Sequence, residues 1–511
     1  MGMVSGKGST AEWAANVVKQ DEIDRYLVGG EDFIDPALIL EKIRNNTEPD
    51  GKRVRDIIEK ALSIERLEPD ETAALLNVKD PGLWEEIAEA GDTIKKKVYD
   101  NRIVFFAPLY FSNYCINNCA YCGFKASNTS EKRGILSEEE IKEEISAVVS
   151  EGHKRLIGVF GEHPVSDIDY MVKAIEAVYS VKEEAPRGPG YGSIRRVNVN
   201  APPMPIKDLK RLWEAGIGTY QVFQETYNKE RYTALHPSGP KADYRWRLYS
   251  MHRAMDAGID DLAIGALFGL YDWRFEVMGL LYHTIDLERQ FGIGPHTISF
   301  PRMNEASNSP VTKDSQYRVS DEDFRRLISV IRLSVPYTGL IITAREKPEI
   351  RMDMLTQGCT QTDASTKIGI KGYSTGLKSG NKDRTYQDSN SQQFMLGDTR
   401  GMDDVVRELA ERDTITSFCT AGYRCGRTGE KIMGLLKNCV EGKFCKANAV
   451  LTFKEYLDDY ASDRTREVGQ RLVEKELDEI KSMPFFRENN LISTVEDMYS
   501  KISSGKRDLY V

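Results

Sequence analysis

The stretch at residues 103–124, IVFFAPLYFSNYCINNCAYCGF, decides how the chain is read. Its first part, IVFFAPLY (103–110), is a continuous apolar run of strand length. Cys115, Cys119 and Cys122 follow at once in a C-x3-C-x2-C spacing. Working outward, further runs of the same kind recur at RLIGVFG (155–161), IRRVNVN (194–200), GTYQVFQ (218–224), DLAIGAL (261–267), HTISF (296–300) and TGLIIT (338–343), with a weaker one around 355–362. Between them lie stretches of helical periodicity such as EEEIKEEISAVVSEG, MPIKDLKRLWEAG and DEDFRRLISVIRL. Gly152, Gly216 and Gly258 stand where a left-handed cap would close three of these helices. Eight strands alternating with helices over about 260 residues predict an α/β chain built on a (β/α)8 TIM barrel, with an open doubly wound sheet as the alternative.

Residues 1–100 read as a helical N-terminal extension. Pro36 opens one helix, and Asp80 with Pro81 forms an N-cap and first-turn pair for another. The barrel is expected over 101–385 and a mostly helical C-terminal domain over 386–511. A Gly-, Ser- and Asn-rich stretch around 370–400 reads as the crossing loop. The 511 residues carry 70 Lys+Arg against 79 Asp+Glu, and hydrophobic residues make up 40%. That balance excludes a disordered chain and argues against a protein that tracks nucleic-acid phosphates. No apolar run approaches a membrane span, and the opening MGMVSGKGSTAEW has no signal core, so a cytoplasmic protein is expected. In that compartment eight cysteines point to metal rather than disulfides.

The first three cysteines sit on the loop after the first strand, where barrel enzymes carry their chemistry. Thiolates favour zinc or iron–sulfur clusters. Zinc usually wants four protein ligands in paired units, and no fourth lies nearby; buried free thiols or a degenerate zinc knuckle are the competing readings. Three thiolates on a [4Fe–4S] cube leave one iron open, able to bind the amino and carboxylate groups of S-adenosyl-L-methionine (SAM) and reduce its sulfonium. On these residues the chain resembles the radical SAM superfamily. The resemblance implies catalytic roles for Cys115, Cys119 and Cys122, and a place for Tyr121 near the adenine. It also implies a small-residue-plus-acid turn, Gly161 and Glu162, for the methionyl ammonium. Gln224, Glu225 and Tyr227 are expected at the barrel mouth, Glu225 toward SAM, with Arg245 on the methionyl carboxylate; a surface ion pair is the alternative for Arg245.

GEHP (161–164), VNVNAPPM (197–204), YQVFQETYNKERYTALHPSGPKADYRWR (220–247), FGIGPHTISFPR (291–302), PYTGLIITARE (336–346) and GKRDLY (505–510) resemble the tyrosine lyases of that superfamily over roughly residues 35–511. The maturase branch that serves [FeFe]-hydrogenase is nearest, and the 2-iminoacetate synthase branch is next. This implies radical cleavage of the Cα–Cβ bond of L-tyrosine to p-cresol and dehydroglycine, with an electron donor and other hydrogenase-maturation proteins as partners. In the maturase branch the product goes on to CO and cyanide. Arg302 and Arg345, at strand ends, and Gln224 are the expected substrate ligands, with rim salt bridges as the alternative for the arginines. Tyr110 and Ser112 are weaker candidates.

The resemblance also implies a C-terminal C-x2-C-x22-C motif holding an auxiliary cluster. Cys419 and Cys445 match it, but Gly422 stands in the middle position. Cys425, one helical turn on, is the expected substitute, followed by Cys439; a decayed site is the alternative. His296 is the expected ligand of an extra iron, ahead of His283, and Cys359 reads as a packing residue. Two other functions stay open: a lyase of tyrosine or another amino acid that makes no CO or cyanide, and an iron–sulfur carrier or scaffold.

Overall fold

The computed structural model describes residues 9–378, Gln387 and 391–511. The first eight residues, and 379–386 and 388–390 of the expected crossing loop, lie outside the described residues. Within that expected loop, Gly372–Lys378 is a helix.

Eight parallel strands form the barrel: β1 (Arg102–Ser112), β2 (Arg155–Phe160), β3 (Arg196–Asn200), β4 (Tyr220–Gln221), β5 (Leu262–Gly265), β6 (Thr297–Ser299), β7 (Gly339–Ile341) and β8 (Gln361–Asp363). The central strand β1 is buried along its whole length. It pairs with β2 over Ala107–Ser112 and with β8 over Val104–Phe106, so the sheet closes and the open-sheet alternative is excluded. A ninth strand, β9 (Ile415–Ser417), comes from the C-terminal part and pairs with Arg102–Val104 at the foot of β1. The eighth strand is shorter than expected because Pro348–Gln357 is a helix, with Pro in its first turn and Ile350, Met354 and Leu355 buried.

Local signals account for the helices. Asp80 caps Pro81–Tyr99 by accepting from the Leu83 amide at 3.0 Å, and Asp35 caps Pro36–Asn45. Gly152, Gly216 and Gly258 all take positive φ. Helix Pro81–Tyr99 packs on Gly51–Leu62 and Asp321–Ser334, and helix Glu441–Asp459 lies under the barrel against β9 and Pro81–Tyr99. Among the described residues no helix is long and apolar enough to cross a membrane.

Side chains alternate across each strand, so one parity faces the barrel axis. Phe106, Ile157 and Ile341 meet in one small apolar cluster. Above them a cavity of about 250 Å³ opens at the C-terminal strand ends. Below them, the same parity brings Arg102, Arg155 and Arg196 inward at the strand starts.

Candidate active site

The cavity is lined by Cys115, Cys119, Cys122, Tyr121, Gly161, Glu162, Glu225 and Arg345, among others. The cysteine loop is shaped by its own polar groups. The Arg133 guanidinium donates to the carbonyls of Asn113, Phe124 and Lys125, each at 2.7 Å, and of Asn128 at 3.2 Å. Asn117 is a hub: its amide donates to Glu162 Oε2 and lies 3.6 Å from Cys115 Sγ, while its Oδ1 accepts from the Lys241 amide at 3.0 Å. Gln393 Nε2 lies 3.5 Å from Cys122 Sγ, and its Oε1 accepts from Tyr110 at 2.8 Å.

All three thiols are free. Burial pushes the Cys119 thiol up to about 12, with Lys241 opposing and the nearby Cys122 and Cys115 adding to the rise. Among the described residues no three His, Cys, Asp or Glu side chains converge on one metal ion. Three cysteine sulfurs on one loop are the donor set of an iron–sulfur cluster rather than of a four-ligand zinc site.

The ammonium site fits as well. Glu162 is buried, Asn117 occupies one carboxylate oxygen, and Oε1 has no partner. Burial raises this carboxyl above its ordinary range, with Arg247 and Lys241 opposing; a cationic ligand would supply the missing partner. Gly161 keeps the turn tight, since a Cβ there would lie 2.2 Å from the Tyr114 carbonyl oxygen and 3.3 Å from that of Ser112. Gly161→Ala is therefore expected to lower stability by about 1–3 kcal/mol and to weaken SAM binding, read from denaturation and equilibrium dialysis.

Glu225 holds a left-handed backbone (φ 71°) that presents its carboxylate to Lys241 Nζ at 2.7 Å and Arg247 Nη2 at 3.2 Å. Burial opposes its ionisation, but the two cations bring it down to about 2. Tyr121 donates to or accepts from His236 Nε2 at 2.8 Å, with Lys241 over its ring. Arg345 lines the cavity with its guanidinium 3.2 Å from the Phe394 ring centre. No side-chain hydrogen bond or ion pair engages it among the described residues. Burial pulls its pKa down, with Tyr110, Glu225 and Cys122 opposing.

Several expected residues are not at the site. Arg245 turns to the N-terminal segment, binding Asp32 at 3.0 Å, the Gly30 carbonyl at 3.2 Å and Glu31 at 3.3 Å, whereas Arg247, two residues on, lines the cavity and donates to the Phe223 carbonyl and to Glu225. Arg302 is committed to Glu346 and to Asp321 at 2.8 Å. Gln224 is buried outside the cavity, and neither amide atom has a hydrogen-bond partner among the described residues. Strand parity explains the last two: Ser299, Pro301 and Met303 line the cavity, as do Gln221, Phe223 and Glu225, so residues 302 and 224 face away. Tyr227 also faces away, its hydroxyl 2.9 Å from His283 Nδ1. Arg302→Met is expected to lower stability by about 3 kcal/mol through the stranded Glu346 while leaving the KM for the organic substrate unchanged.

At the opposite barrel end, Cys419 follows β9 with φ 48°. Interaction with the Cys445 thiol holds the Cys419 thiol well below its usual value; burial opposes, and Arg102, Arg155 and His296 reinforce the shift. His296 Nδ1 is 3.0 Å from Asp261 Oδ2. Cys425 ends the short helix Ala421–Arg424, and its sulfur makes no hydrogen bond among the described residues. Cys439 is half-buried beside Lys97 and Lys443, and Cys359 is fully buried in the core.

Residues 109–278 match the Radical SAM superfamily, and 299–415 match the Biotin and Thiamin Synthesis associated domain. The chain is 31% identical over 328 residues to the 2-iminoacetate synthase of Escherichia coli (strain K12), covering 63% of this chain and 82% of that protein. Among solved structures, HydG, a maturase of the [FeFe]-hydrogenase, superposes with a TM-score of 0.86 and 41% identity, covering 94% of this chain and 100% of the other. HydG from Carboxydothermus hydrogenoformans gives a TM-score of 0.75 and 34% identity, covering 94% and 99%.

Proposed function

Because the chain belongs to the radical SAM superfamily, in the family that holds 2-iminoacetate synthase and HydG, we propose that this enzyme cleaves L-tyrosine at Cα–Cβ into p-cresol and dehydroglycine and supplies hydrogenase maturation. A [4Fe–4S] cluster and SAM are the cofactors of this superfamily, and when bound they supply a primary carbon radical through one-electron cleavage of the sulfonium.

The chain's own residues do the rest. Cys115, Cys119 and Cys122 hold the cluster. The unpartnered Glu162 oxygen accepts from the methionyl ammonium, and Asn117 keeps that carboxylate aimed. Glu225, kept ionised by Lys241 and Arg247, would give SAM a fixed acceptor in the cavity. Arg345 holds the tyrosine carboxylate from the far wall, and Tyr110 and Phe394 narrow the space left for a phenol ring. Burial of these groups keeps water from quenching a radical.

The observation that carries the reading is the cavity itself, where three thiols outside any disulfide, an acid with an oxygen unpartnered among the described residues and an arginine with no carboxylate partner among them face one space. Length favours the maturase type over 2-iminoacetate synthase, since HydG spans 94% of this chain and the E. coli synthase 63%. Anaerobic reaction with SAM, a reductant and tyrosine should give p-cresol and 5′-deoxyadenosine, and a haem reporter should trap CO. Dehydroglycine or glyoxylate without CO would assign the chain to the simple lyases.

A further inference from the structure

We propose that Glu276 is the positioning residue for Glu225: its buried carboxyl holds the turn that follows β4 and so aims Glu225 at SAM. The inference deepens the lyase reading and rests on its assignment of Glu225 to SAM.

The chain is fixed up to Glu225 by the strand beside it. The Gln224 amide donates to the Gly265 carbonyl at 2.9 Å, and the Leu267 amide donates to the Glu225 carbonyl at 2.8 Å. Glu225 then takes φ 71°. A residue with a Cβ keeps that left-handed backbone only where its surroundings impose it. If Glu225 relaxed to an ordinary conformation, its Cα–Cβ bond would swing and carry the carboxylate with it.

Glu276 imposes the conformation from the far side of the turn. It lies on the helix Trp273–Phe291 and is fully buried. One carboxyl oxygen accepts from the Thr226 hydroxyl, and the other accepts from the Tyr227 amide at 2.8 Å. Those residues come directly after Glu225. Thr226 Oγ1 accepts in turn from the Asn228 amide at 3.2 Å, so Thr226, Tyr227 and Asn228 all hang on one carboxyl. The same helix also grips the Tyr227 side chain. Gly279 lets the ring lie against the helix, since a Cβ there would stand 2.4 Å from Tyr227 Cγ. One turn further on, His283 Nδ1 is 2.9 Å from the Tyr227 hydroxyl.

The Glu276 carboxyl has no other hydrogen-bond or ion-pair partner among the described residues. Burial pushes it up to about 8, with the Thr226 and Tyr227 hydrogen bonds opposing and Asp272 adding to the rise. A buried acid without a cation is costly, and an aliphatic side chain would fill the same space at lower cost. What the acid adds is a pair of hydrogen-bonding oxygens at the turn. Glu276 does not line the cavity, so it acts on SAM only through the residues it holds.

The test uses the full chain with its cluster reconstituted anaerobically, and reads SAM affinity by equilibrium dialysis beside the KM for tyrosine. Glu276→Met removes both oxygens and should weaken SAM binding about tenfold while leaving the tyrosine KM unaltered. Glu276→Gln can keep both hydrogen bonds and should hold SAM affinity within about threefold of the unaltered enzyme. Thr226→Val, which loses only the hydroxyl, should weaken SAM binding about threefold and carries the test if Glu276→Met does not fold. With Glu225→Ala already in place, neither Glu276→Met nor Thr226→Val should cause a further loss, because the side chain being aimed has gone. The proposal is overturned by a SAM affinity that Glu276→Met and Thr226→Val leave unaltered, or by the same loss from Gln as from Met. It is also overturned by an equal rise in the tyrosine KM, or by losses that persist undiminished beside Glu225→Ala. SAM affinity unaltered by Glu225→Ala itself would overturn the assignment of Glu225 to SAM, and the proposal with it.

Discussion

Cys119→Ala is expected to reduce p-cresol and 5′-deoxyadenosine formation to background. The buried thiol shares the cavity with Cys115 and Cys122, and no other sulfur lies within the loop to replace it. The same variant should lose iron and sulfide from the upper site. Cys359→Ala is the matched control: this cysteine is fully buried in the core, far in sequence from the loop. Its substitution should cost about 1–2 kcal/mol of stability and leave turnover intact. Equal loss of activity in both variants would mean that thiol burial, not cluster ligation, explains the cysteine loop.

Arg345→Gln is expected to lower kcat/KM for tyrosine by ~10–100-fold, the equivalent of one charged hydrogen-bonding group at about 1.5–3 kcal/mol. Most of the change should fall on KM, with SAM affinity unaltered. The reason is geometric. Arg345 lines the cavity on the parity shared with Ile341 and Thr343, and its guanidinium carries no carboxylate partner among the described residues. A fall in SAM affinity with an unaltered tyrosine KM would instead place Arg345 on the methionyl carboxylate.

The barrel was legible because apolar runs and capped helices alternate at regular intervals, and β1 with its cysteine loop marks the catalytic face. The eighth strand was less so, since the run expected around 355–362 begins inside the helix Pro348–Gln357 and only Gln361–Asp363 is strand. Counting parity along β6 and β4 would have moved Arg302 and Gln224 off the cavity wall and kept Arg345 on it, so that signal was present in the sequence. Arg245 and Arg247 are two residues apart on a short helix, and their assignment depends on Glu31 and Asp32, which reach Arg245 only through the fold. Asn117, Arg133 and Lys241 were missed for a similar reason. Each acts by hydrogen bonds to backbone or to another side chain across the loop, and such partners leave no periodic trace.

The measurement that tests the central claim most directly is the fate of carbon from L-tyrosine labelled uniformly with carbon-13, in an anaerobic reaction with SAM and a low-potential reductant. Tyrosine cleavage at Cα–Cβ predicts label in p-cresol through its ring and methyl carbons. It also predicts label in the two-carbon fragment or in the CO derived from it, with 5′-deoxyadenosine formed only when tyrosine is present. Deoxyadenosine released at the same rate without tyrosine, and no labelled p-cresol, would contradict the account.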